Sequence, residues 1–231
     1  MSRDILVTQF DTHLLRTKPE CLHALADLYC RIFSLDPNFG EYRKCPTCKQ
    51  YFNYEQVEND GVRDCQNDHP KVAIVPAWEP DKVGEEILHQ SEEEGFFGAQ
   101  VTLNGEIVGF AYVRYLSLKQ IGEEWGDSIV KMIKPVCSGD QVIYFDELGV
   151  DIKSRRIGLG KELVRFICRW ARENHPEKMT ILRTHYNSPA RGIFEGVGYR
   201  KFADDTEYGG GRIMMKVDKC YNLRPAYLRP A

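Results

Sequence analysis

The chain has 231 residues, of which 42% are hydrophobic and 28% are charged, and its formal net charge is -3. This length allows one sizeable core, and the composition is that of a globular domain in water. The slightly negative charge gives no reason to expect a nucleic acid or an anionic membrane as a partner. We expect a cytoplasmic protein, because no apolar run approaches the ~20 residues that span a bilayer and the N-terminal residues lack a signal-peptide core.

The first predicted elements are a strand and a helix. Residues 5–10 alternate in hydrophobicity, which is typical of a strand. Thr17 and Glu20 have the spacing of a capping box, so a helix is predicted to begin after Thr17, with Pro19 in its first turn. Asp36-Pro37-Asn38 is predicted to end this helix. Its apolar stripe consists of Leu22, Leu25, Tyr29, Ile32 and Phe33.

Residues 41–71 differ from the rest of the chain, because they contain few aliphatic side chains. They contain instead a Cys-x2-Cys pair that is followed, after sixteen residues, by Cys-x3-His. Such ligands can hold one tetrahedral Zn²⁺, and a segment this poor in aliphatics needs a metal to supply its folding energy. Four protein ligands leave no open coordination position, so the predicted zinc is structural. The predicted ligands are Cys45, Cys48, Cys65 and His69.

Alternatives to this zinc site stay open. The cysteines could be two unrelated reduced pairs or a redox Cys-x-x-Cys, and Asp64 or Asp68 could replace His69 as the fourth ligand. Nucleic-acid binding by this segment is not expected, because its five basic residues are balanced by six acidic ones, whereas a phosphate-binding surface is clearly cationic. The other cysteines are predicted to be reduced thiols: Cys21, Cys30, Cys137, Cys168 and Cys220.

The middle of the chain predicts a helix, a hairpin and a second helical segment. Residues 81–94 have a thin apolar stripe that ends at a glycine, which is typical of a helix. The segments Phe97–Leu103 and 106–116 are joined by Asn104-Gly105, the strongest short signal for a hairpin. Residues 118–139 are predicted to form an additional helix.

The second half predicts alternating strands and helices. Residues 141–147 are rich in β-branched and aromatic side chains and are predicted to form a strand, and the helix that follows carries apolar residues at Leu159, Leu163, Phe166, Ile167 and Trp170. Residues 179–186 predict the next strand, and Ser188-Pro189 predicts the start of a short helix. Residues 199–203 and Arg212–Val217 are predicted to pair across the glycines at 209–211.

The junction between the strand at 141–147 and its helix is suited to an anion. The first amides of a helix have no intrahelical acceptor, and the helix dipole places partial positive charge at the same end. Gly158 and Gly160 remove side chains, so a phosphate could approach the backbone. Arg155, Arg156 and Lys161 add positive charge. The alternative is an ordinary connection whose glycines only ease packing.

A family resemblance makes this junction more specific. Arg155-x-x-Gly158-x-Gly160 resembles the Gln/Arg-x-x-Gly-x-Gly/Ala signature of the GCN5-related N-acetyltransferases. Leu148 and Val150 lie where that family has its Leu-x-Val lead-in.

A second landmark of the family follows at the expected distance. Asn187-x-x-Ala190, followed by Gly198-Tyr199, is similar to the family's Asn-x-x-Ala-x-x-x-Tyr-x-x-x-Gly-Phe. The resemblance covers about residues 95–217 and implies an α/β fold. In this fold a mixed, mostly antiparallel sheet splays between its fourth and fifth strands and is flanked by helices.

The resemblance predicts one acyltransferase domain with two additions. The domain covers residues 1–217 and includes the zinc-knuckle insertion at 41–71 and the helical insertion at 118–139. Residues 218–231 are predicted to be a surface extension.

The resemblance also implies the chemistry. An acetyl group would pass from acetyl-coenzyme A (acetyl-CoA) to an amine that attacks the thioester directly in a ternary complex. Backbone groups at the end of the strand would bind the pantetheine arm, the amides of the bend would hold the pyrophosphate, and an asparagine and an aromatic ring would contact the arm. The implied cofactor-binding residues are Leu148, Gly149, Val150, Arg155, Arg156, Ile157, Gly158, Leu159, Gly160, Lys161, Asn187 and Phe194.

The amine must lose a proton before it attacks, and a positioned carboxylate can accept that proton. Glu147 and Asp146 are the candidates, and strand alternation predicts that only one of them faces the acceptor. A base elsewhere is an alternative, as is a structural role for both carboxylates in pairs with Arg or Lys.

The general acid is less clear from the sequence. Many members of the family have a tyrosine where this chain has Phe194, which has no proton to give. Tyr186, Tyr199 or water could protonate the leaving thiolate, or the thiolate could leave without help.

The acceptor stays open between a small amine, an antibiotic, a peptide N-terminus and a lysine side chain. We expect no nucleic-acid or membrane partner, and a homodimer is left open. Two other functions also stay open: a non-catalytic module that binds acyl-CoA and recognises a protein, and a nucleic-acid-directed acetyltransferase guided by the zinc element.

Overall fold

A computed structural model of the chain describes residues 4–35, 41–66, 69–205 and 212–217. These residues form a seven-stranded sheet, a separate three-stranded sheet and the helices around them. Among the described helices, none combines the length and the apolar character that a membrane crossing requires. The predicted turn at 209–211, the predicted helix end at 36–38, the predicted tail at 218–231 and Cys220 lie outside the described residues.

The strands and helices are numbered in chain order. The strands are β1 (Ile5–Phe10), β2 (Arg43–Lys44), β3 (Tyr51–Phe52), β4 (Val75–Pro76), β5 (Phe97–Leu103), β6 (Glu106–Ser117), β7 (Gln141–Val150), β8 (Thr180–His185), β9 (Arg200–Asp205) and β10 (Arg212–Val217). The helices are α1 (Thr12–Thr17), α2 (Pro19–Leu35), α3 (Pro80–Ser91), α4 (Leu118–Trp125), α5 (Asp127–Ile133), α6 (Leu159–Asn174) and α7 (Pro189–Glu195).

The large sheet has the strand order β1-β5-β6-β7-β8-β10-β9, and all its neighbours are antiparallel except β7 and β8. The parallel pair is short: Ile143 pairs with Thr180 and Tyr144 with Ile181. Beyond this point β7 continues to Val150 and β8 to His185 without pairing with each other. The mixed α/β fold with a sheet that splays between these two strands is therefore confirmed.

Helices cover both faces of the sheet because adjacent residues of a strand point to opposite faces. On one face, α6 buries its stripe of Leu163, Val164 and Ile167 against residues such as Val113 and Phe145. The other face carries two clusters. The first packs α1–α3 against β6, and the second packs α4 and α5 against β7, β8 and β10.

Most predicted elements are confirmed, but the first helix begins differently. Asp11 caps a separate helix α1 by accepting a hydrogen bond from the Leu14 amide (2.9 Å). Thr17 lies at the end of α1, where its hydroxyl donates to the His13 carbonyl oxygen (2.8 Å). The predicted capping box at Thr17 is therefore wrong, although α2 does begin at Pro19 as expected.

The predicted helix over 118–139 is two short helices. The helix is interrupted at Gly126, whose φ of 90° lies outside the helical region, so α4 ends and α5 begins there. A capping box does occur at this segment: Ser117 accepts from the Gln120 amide, and the Gln120 side chain accepts from the Ser117 amide. The predicted Asn104-Gly105 hairpin and the Ser188 cap of α7 are confirmed.

The small sheet contains the cysteine-rich segment. Strand β2 pairs with β3 on one side and with β4 on the other. Since β4 lies at Val75–Pro76, the ordered unit extends beyond residue 71. Its own apolar cluster is small, consisting of Cys45, Phe52, Val57 and Cys65 as fully buried members.

We predict that Gly98→Ala destabilises the protein by about 1–3 kcal/mol, because the contact between β1 and β5 has no room for a methyl group. A Cβ atom at Gly98 would lie 2.4 Å from Cε2 of Phe10, whose ring is buried and cannot move aside freely. Urea denaturation would measure the change. The control is Gly192→Ala in α7, where a Cβ atom meets nothing within 4 Å and alanine should stabilise by about 0.5–1 kcal/mol. Equal shifts for the two variants would contradict the packing argument.

Candidate functional site

The bend before α6 has the backbone geometry of an anion site. Gly158 adopts a left-handed conformation (φ 94°) as the N-cap of α6, and Arg156 also has a positive φ of 67°. The Glu162 amide makes the bond to the Gly158 carbonyl oxygen (3.2 Å) that begins the helical pattern. The amides of residues 159–161 precede that bond, so they have no intrahelical acceptor and lie at the positive end of the dipole.

The two glycines of the bend have different roles. A Cβ atom at Gly158 would meet nothing within 4 Å, so this position is open to a ligand. At Gly160 a Cβ atom would lie 2.9 Å from Cδ1 of Ile193, so this glycine lets α6 pack closely on α7. Arg155 fixes the bend on the end of β7, because its Nε donates to the Val150 carbonyl oxygen (3.0 Å).

The end of β7 presents a free edge toward β8. Leu148, Gly149 and Val150 pair with β6 on one side. On the other side, the described pairing with β8 stops at Tyr144. An extended chain can add to such an edge as an extra strand.

Asn187 and Phe194 differ in their exposure to solvent. Asn187 is exposed in the turn between β8 and α7. Phe194 is 4% exposed and makes edge-to-face contacts with Phe145 (4.9 Å between ring centroids) and Tyr199 (5.1 Å). Its ring therefore belongs to the core beside the free edge of β7.

The two tyrosines that could serve as general acid also differ. Tyr199 is 2% exposed, and its hydroxyl lies 3.8 Å from Sγ of Cys168 inside the core. Tyr186 is 50% exposed, with the Arg191 guanidinium 4.4 Å from its ring centroid. Only Tyr186 of this pair can reach a ligand without rearrangement.

The two candidate carboxylates lie on the same face of the sheet, contrary to the prediction from strand alternation. In the pairing of β6 with β7, Tyr112 lies opposite Glu147 and Val113 lies opposite Phe145, so Asp146 is the extra residue of a β-bulge. Asp146 accepts a hydrogen bond from Arg114 Nε, and Glu147 accepts one from Tyr29 in α2. Both contacts are on the face that α1–α5 cover.

Asp146 is neutralised by an arginine. The Arg114 guanidinium bonds Asp146, donates to Glu93 (2.7 Å) and lies 3.8 Å from Glu124. Burial raises the pKa of Asp146 to about 6, and the attraction of Arg114 offsets this only in part. The structural role that the sequence left open for both carboxylates therefore describes Asp146.

Glu147 has no such partner among the described residues. Its Oε1 accepts a hydrogen bond from the Tyr29 hydroxyl (3.2 Å), and no described basic side chain forms an ion pair with it. Burial raises its pKa to about 8, and the nearby charge of Asp146 adds to the effect. A carboxyl group with a pKa near neutrality can exchange a proton with a bound amine.

The sequence gives no individual role to two aromatic residues of this region. Tyr29 is part of the apolar stripe of its helix, and Trp78 lies in a connector between Pro76 and Pro80. In the structure the two rings meet edge to face at 5.2 Å, and Phe33 lies 4.4 Å from Tyr29 and 6.3 Å from Trp78. We call these three residues the aromatic wall. Its position depends on contacts between distant segments, for which the sequence carries no local signal.

The cysteine-rich segment brings together the four predicted zinc ligands. The ligand atoms of Cys45, Cys48, Cys65 and His69 all lie within 4.8 Å of one another. The Cys48 and Cys65 Sγ atoms are 3.7 Å apart, and two thiolates at ~2.3 Å from one tetrahedral zinc ion would be about 3.8 Å apart. Asp64 is exposed and is not part of the group, and Asp68 lies outside the described residues.

The donor set itself also fits a metal. The Nδ1 atom of His69 is buried and has no hydrogen-bond partner among the residues that the structure describes, which is costly unless a ligand binds it. None of the described cysteines forms a disulfide, so the thiols of Cys45, Cys48 and Cys65 are available to a metal. Two backbone hydrogen bonds close the turn that presents the first two thiols. The Cys45 amide donates to the Gln50 carbonyl oxygen (2.9 Å), and the Lys49 amide donates to the Cys45 carbonyl oxygen (3.0 Å).

Comparison with known families identifies the family of the chain. The model described as "Acetyltransferase (GNAT) family" matches residues 59–199, which is more than half of the chain. The comparison with curated proteins finds no match.

Several solved structures have a similar fold. The ribosomal-protein-S18-alanine N-acetyltransferase from Escherichia coli is 13% identical with a TM-score of 0.51, and the alignment covers 93% of each chain. A GNAT-family acetyltransferase from Streptococcus pneumoniae is 12% identical, with a TM-score of 0.53 and coverage of 92% of this chain and 97% of the other. An aminoglycoside 6'-acetyltransferase type Ii is 13% identical, with a TM-score of 0.52 and coverage of 92% and 96%. At these identities the likeness shows the fold alone.

We predict that Glu147→Gln stabilises the protein at pH 8 and has little effect near pH 4.5. The folded state holds the Glu147 proton up to about pH 8, whereas the unfolded chain releases it near the ordinary value of 4.5. Stability therefore falls as the pH rises through this window, and glutamine removes that loss.

The expected gain at pH 8 is on the order of 2 kcal/mol, measured by urea denaturation at both pH values. Glu106→Gln, at an exposed position beside the hairpin turn, is the control and should not change the pH dependence. An unchanged pH dependence in Glu147→Gln would mean that the carboxyl group is not buried in its neutral form.

Proposed function

The chain belongs to the acetyltransferase (GNAT) family, and we propose that it moves the acetyl group of acetyl-CoA to a primary amine by direct attack in a ternary complex. One observation carries the proposal. A free edge of β7 runs between the anion-binding bend at one end and the unneutralised carboxyl group of Glu147 at the other. A thioester held by the bend and along this edge would therefore end beside a base.

Three parts of the chain would hold the cosubstrate. The amides of residues 156–161 would bind the pyrophosphate, with Lys161 adding positive charge. The backbone of Leu148, Gly149 and Val150 would pair with the amide groups of the pantetheine arm, as an added strand does. Asn187, which is exposed at the end of β8, would hydrogen-bond the arm.

Glu147 is proposed as the general base. It would take a proton from the ammonium group of the acceptor, and the nitrogen lone pair would then attack the thioester carbonyl carbon. The C–S bond breaks as the amide forms, the thiolate leaves with its electron pair, and the nitrogen gives its second proton to water. Asp146 acts through its charge. Held in place by Arg114, it helps to raise the pKa of Glu147 to about 8.

The thiolate would be protonated by Tyr186 or by water. Phe194 has no proton to give, and Tyr199 is enclosed in the core. A coenzyme A thiolate is a weak base, so the absence of a buried acid at this position does not prevent its departure. Phe194 would serve instead as an apolar support beside the free edge of β7.

We predict that Lys161→Glu weakens acetyl-CoA binding by about tenfold or more, because it places a negative charge at the helix N-terminus that holds the pyrophosphate. Thermal stabilisation by acetyl-CoA would measure the loss. Lys153→Glu is the matched control, since this lysine is exposed just before the bend. Acetyl-CoA that failed to stabilise the parent chain, or equal effects of the two variants, would contradict the cofactor site.

A thiol-release assay against pooled amines, peptides and aminoglycosides tests catalysis itself. Glu147→Gln should bind acetyl-CoA like the parent and release thiol at least about 100-fold more slowly. Binding without any acceptor-dependent release in the parent would favour the non-catalytic module instead.

We also propose that Cys45, Cys48, Cys65 and His69 bind one structural Zn²⁺. The short distances between the ligand atoms and the orphaned Nδ1 atom of His69 support this site. Four protein ligands leave no position for a substrate, so the metal would stabilise the small sheet and take no part in the transfer. The thiolates and the imidazole would supply the folding energy that this small apolar cluster lacks.

We predict that the purified protein contains about one zinc per chain and that Cys48→Ser lowers both the zinc content and the unfolding temperature. Elemental analysis and calorimetry measure the two quantities. Cys137→Ser is the control, because Cys137 lies outside the cluster. A zinc content well below one per chain, or a Cys48→Ser variant as stable as the control, would remove the zinc site.

A further inference from the structure

The surroundings of Glu147 contain information about the acceptor. The aromatic wall of Tyr29, Phe33 and Trp78 contacts Glu147 through Tyr29, whose hydroxyl donates to the carboxyl group. Tyr29 is almost buried, whereas Phe33 and Trp78 are half-buried and form the outer part of the wall. The faces of such rings favour an ammonium group and its aliphatic carbons over an anion.

A polar atom of the wall also lacks a partner. The Nε1 atom of Trp78 is buried and has no hydrogen-bond acceptor in the described part of the chain. A buried N–H group without an acceptor is costly, and a water molecule that accepts from it would recover that cost. This wall is therefore incomplete as a packed core, although Tyr29 belongs to one.

The charge around the wall is negative. Glu86 is exposed on α3, and it is close enough for its charge to contribute to the raised pKa of both Glu147 and Tyr29. No described basic side chain forms an ion pair with Glu86 or with Glu147. Glu41 lies nearby and is partly balanced by Lys44 and Arg212. Burial is the main cause of the raised pKa of Glu147, and the charges of Asp146, Glu41 and Glu86 add to it.

We propose that the acceptor is an aliphatic amine with at least two positive charges, such as a diamine or a polyamine. The reacting ammonium group lies against the aromatic wall beside Glu147, and a second ammonium group lies near Glu86. This proposal rests on the proposed function, because it assigns the acceptor of the same reaction. An amine that carries a carboxylate in place of the second ammonium group would bring like charge to Glu86 and is excluded.

The second charge also has a role in the chemistry. Because nearby negative charge makes Glu147 hold its proton, a cation near Glu86 would lower that proton affinity. Glu147 would then be ionised when the acceptor is bound, and it could accept the proton that the reacting nitrogen must lose. Binding of the acceptor would thereby ionise the base that deprotonates it, and a monocationic amine would promote this ionisation less well.

Isothermal titration of the full chain tests this acceptor class with three probes of one length. They are 1,5-diaminopentane, 1-aminopentane and 5-aminopentanoate, each titrated with and without coenzyme A, which cannot donate an acetyl group. We expect the diamine to bind about tenfold more tightly than the monoamine and the aminopentanoate to show no binding.

Variants separate the two parts of the pocket. Glu86→Gln should remove the preference for the diamine, whereas the matched control Glu85→Gln, also exposed on α3, should keep it. Trp78→Leu should weaken the monoamine and the diamine alike, and Trp78→Phe, which keeps an aromatic ring, should restore part of the affinity. Thermal stabilisation by acetyl-CoA should be the same in all four variants.

Three results would overturn the proposal: equal affinity for the monoamine and the diamine, binding of the aminopentanoate as tight as that of the diamine, or equal effects of Glu86→Gln and Glu85→Gln. If acetyl-CoA still stabilises the protein in those cases, only the acceptor class fails. If acetyl-CoA binding also fails in the parent chain, the proposed acetyltransferase reaction fails with it.

Discussion

The short parallel contact between β7 and β8 is the constraint on which the rest of the structure depends. The two strands pair only at Ile143–Thr180 and Tyr144–Ile181, and then they diverge. Full pairing would have used the hydrogen-bonding edge of residues 145–150 and closed the gap beside it. Because the pairing stops early, β7 keeps a free edge and runs on into the bend at Gly158, where the first amides of α6 face outward.

The bulge at Asp146 gives this free edge its chemistry. One extra residue turns two neighbouring carboxylates onto the same face, where strand alternation would have separated them. Two half-buried carboxylates that close to each other are costly, and among the described residues only Asp146 has an ion-pair partner, Arg114. Glu147 is left with a tyrosine hydroxyl. The instability that this arrangement stores in the fold is the same property that makes Glu147 suitable as a base.

The sequence predicted the elements whose signals are local. Asn104 and Gly105 both have positive φ, as the hairpin turn requires, and Ser188 caps α7 from the position that its side chain favours. The Cys and His spacing was equally local, and the four ligand atoms do lie together. The bulge was not predictable, because it depends on the register between β6 and β7. The cap at Asp11 was missed in favour of Thr17, because the two candidate caps lie six residues apart and α1 is too short for a clear apolar stripe.

The small sheet and the aromatic wall are one structural unit, although the sequence presents them as an insertion and a connector. Lys44, next to Cys45, pairs with Val75, and the Ala77 amide donates to the Tyr42 carbonyl oxygen (3.3 Å). These bonds fix the chain immediately before Trp78, which then packs against Tyr29. The apolar cluster of the small sheet is too small to hold such a unit by burial alone, and two of its buried members are themselves cysteines of the proposed metal site. The ligands therefore serve as part of the core, and the position of Trp78 against Tyr29 depends on the same contacts that fold the cysteine-rich segment.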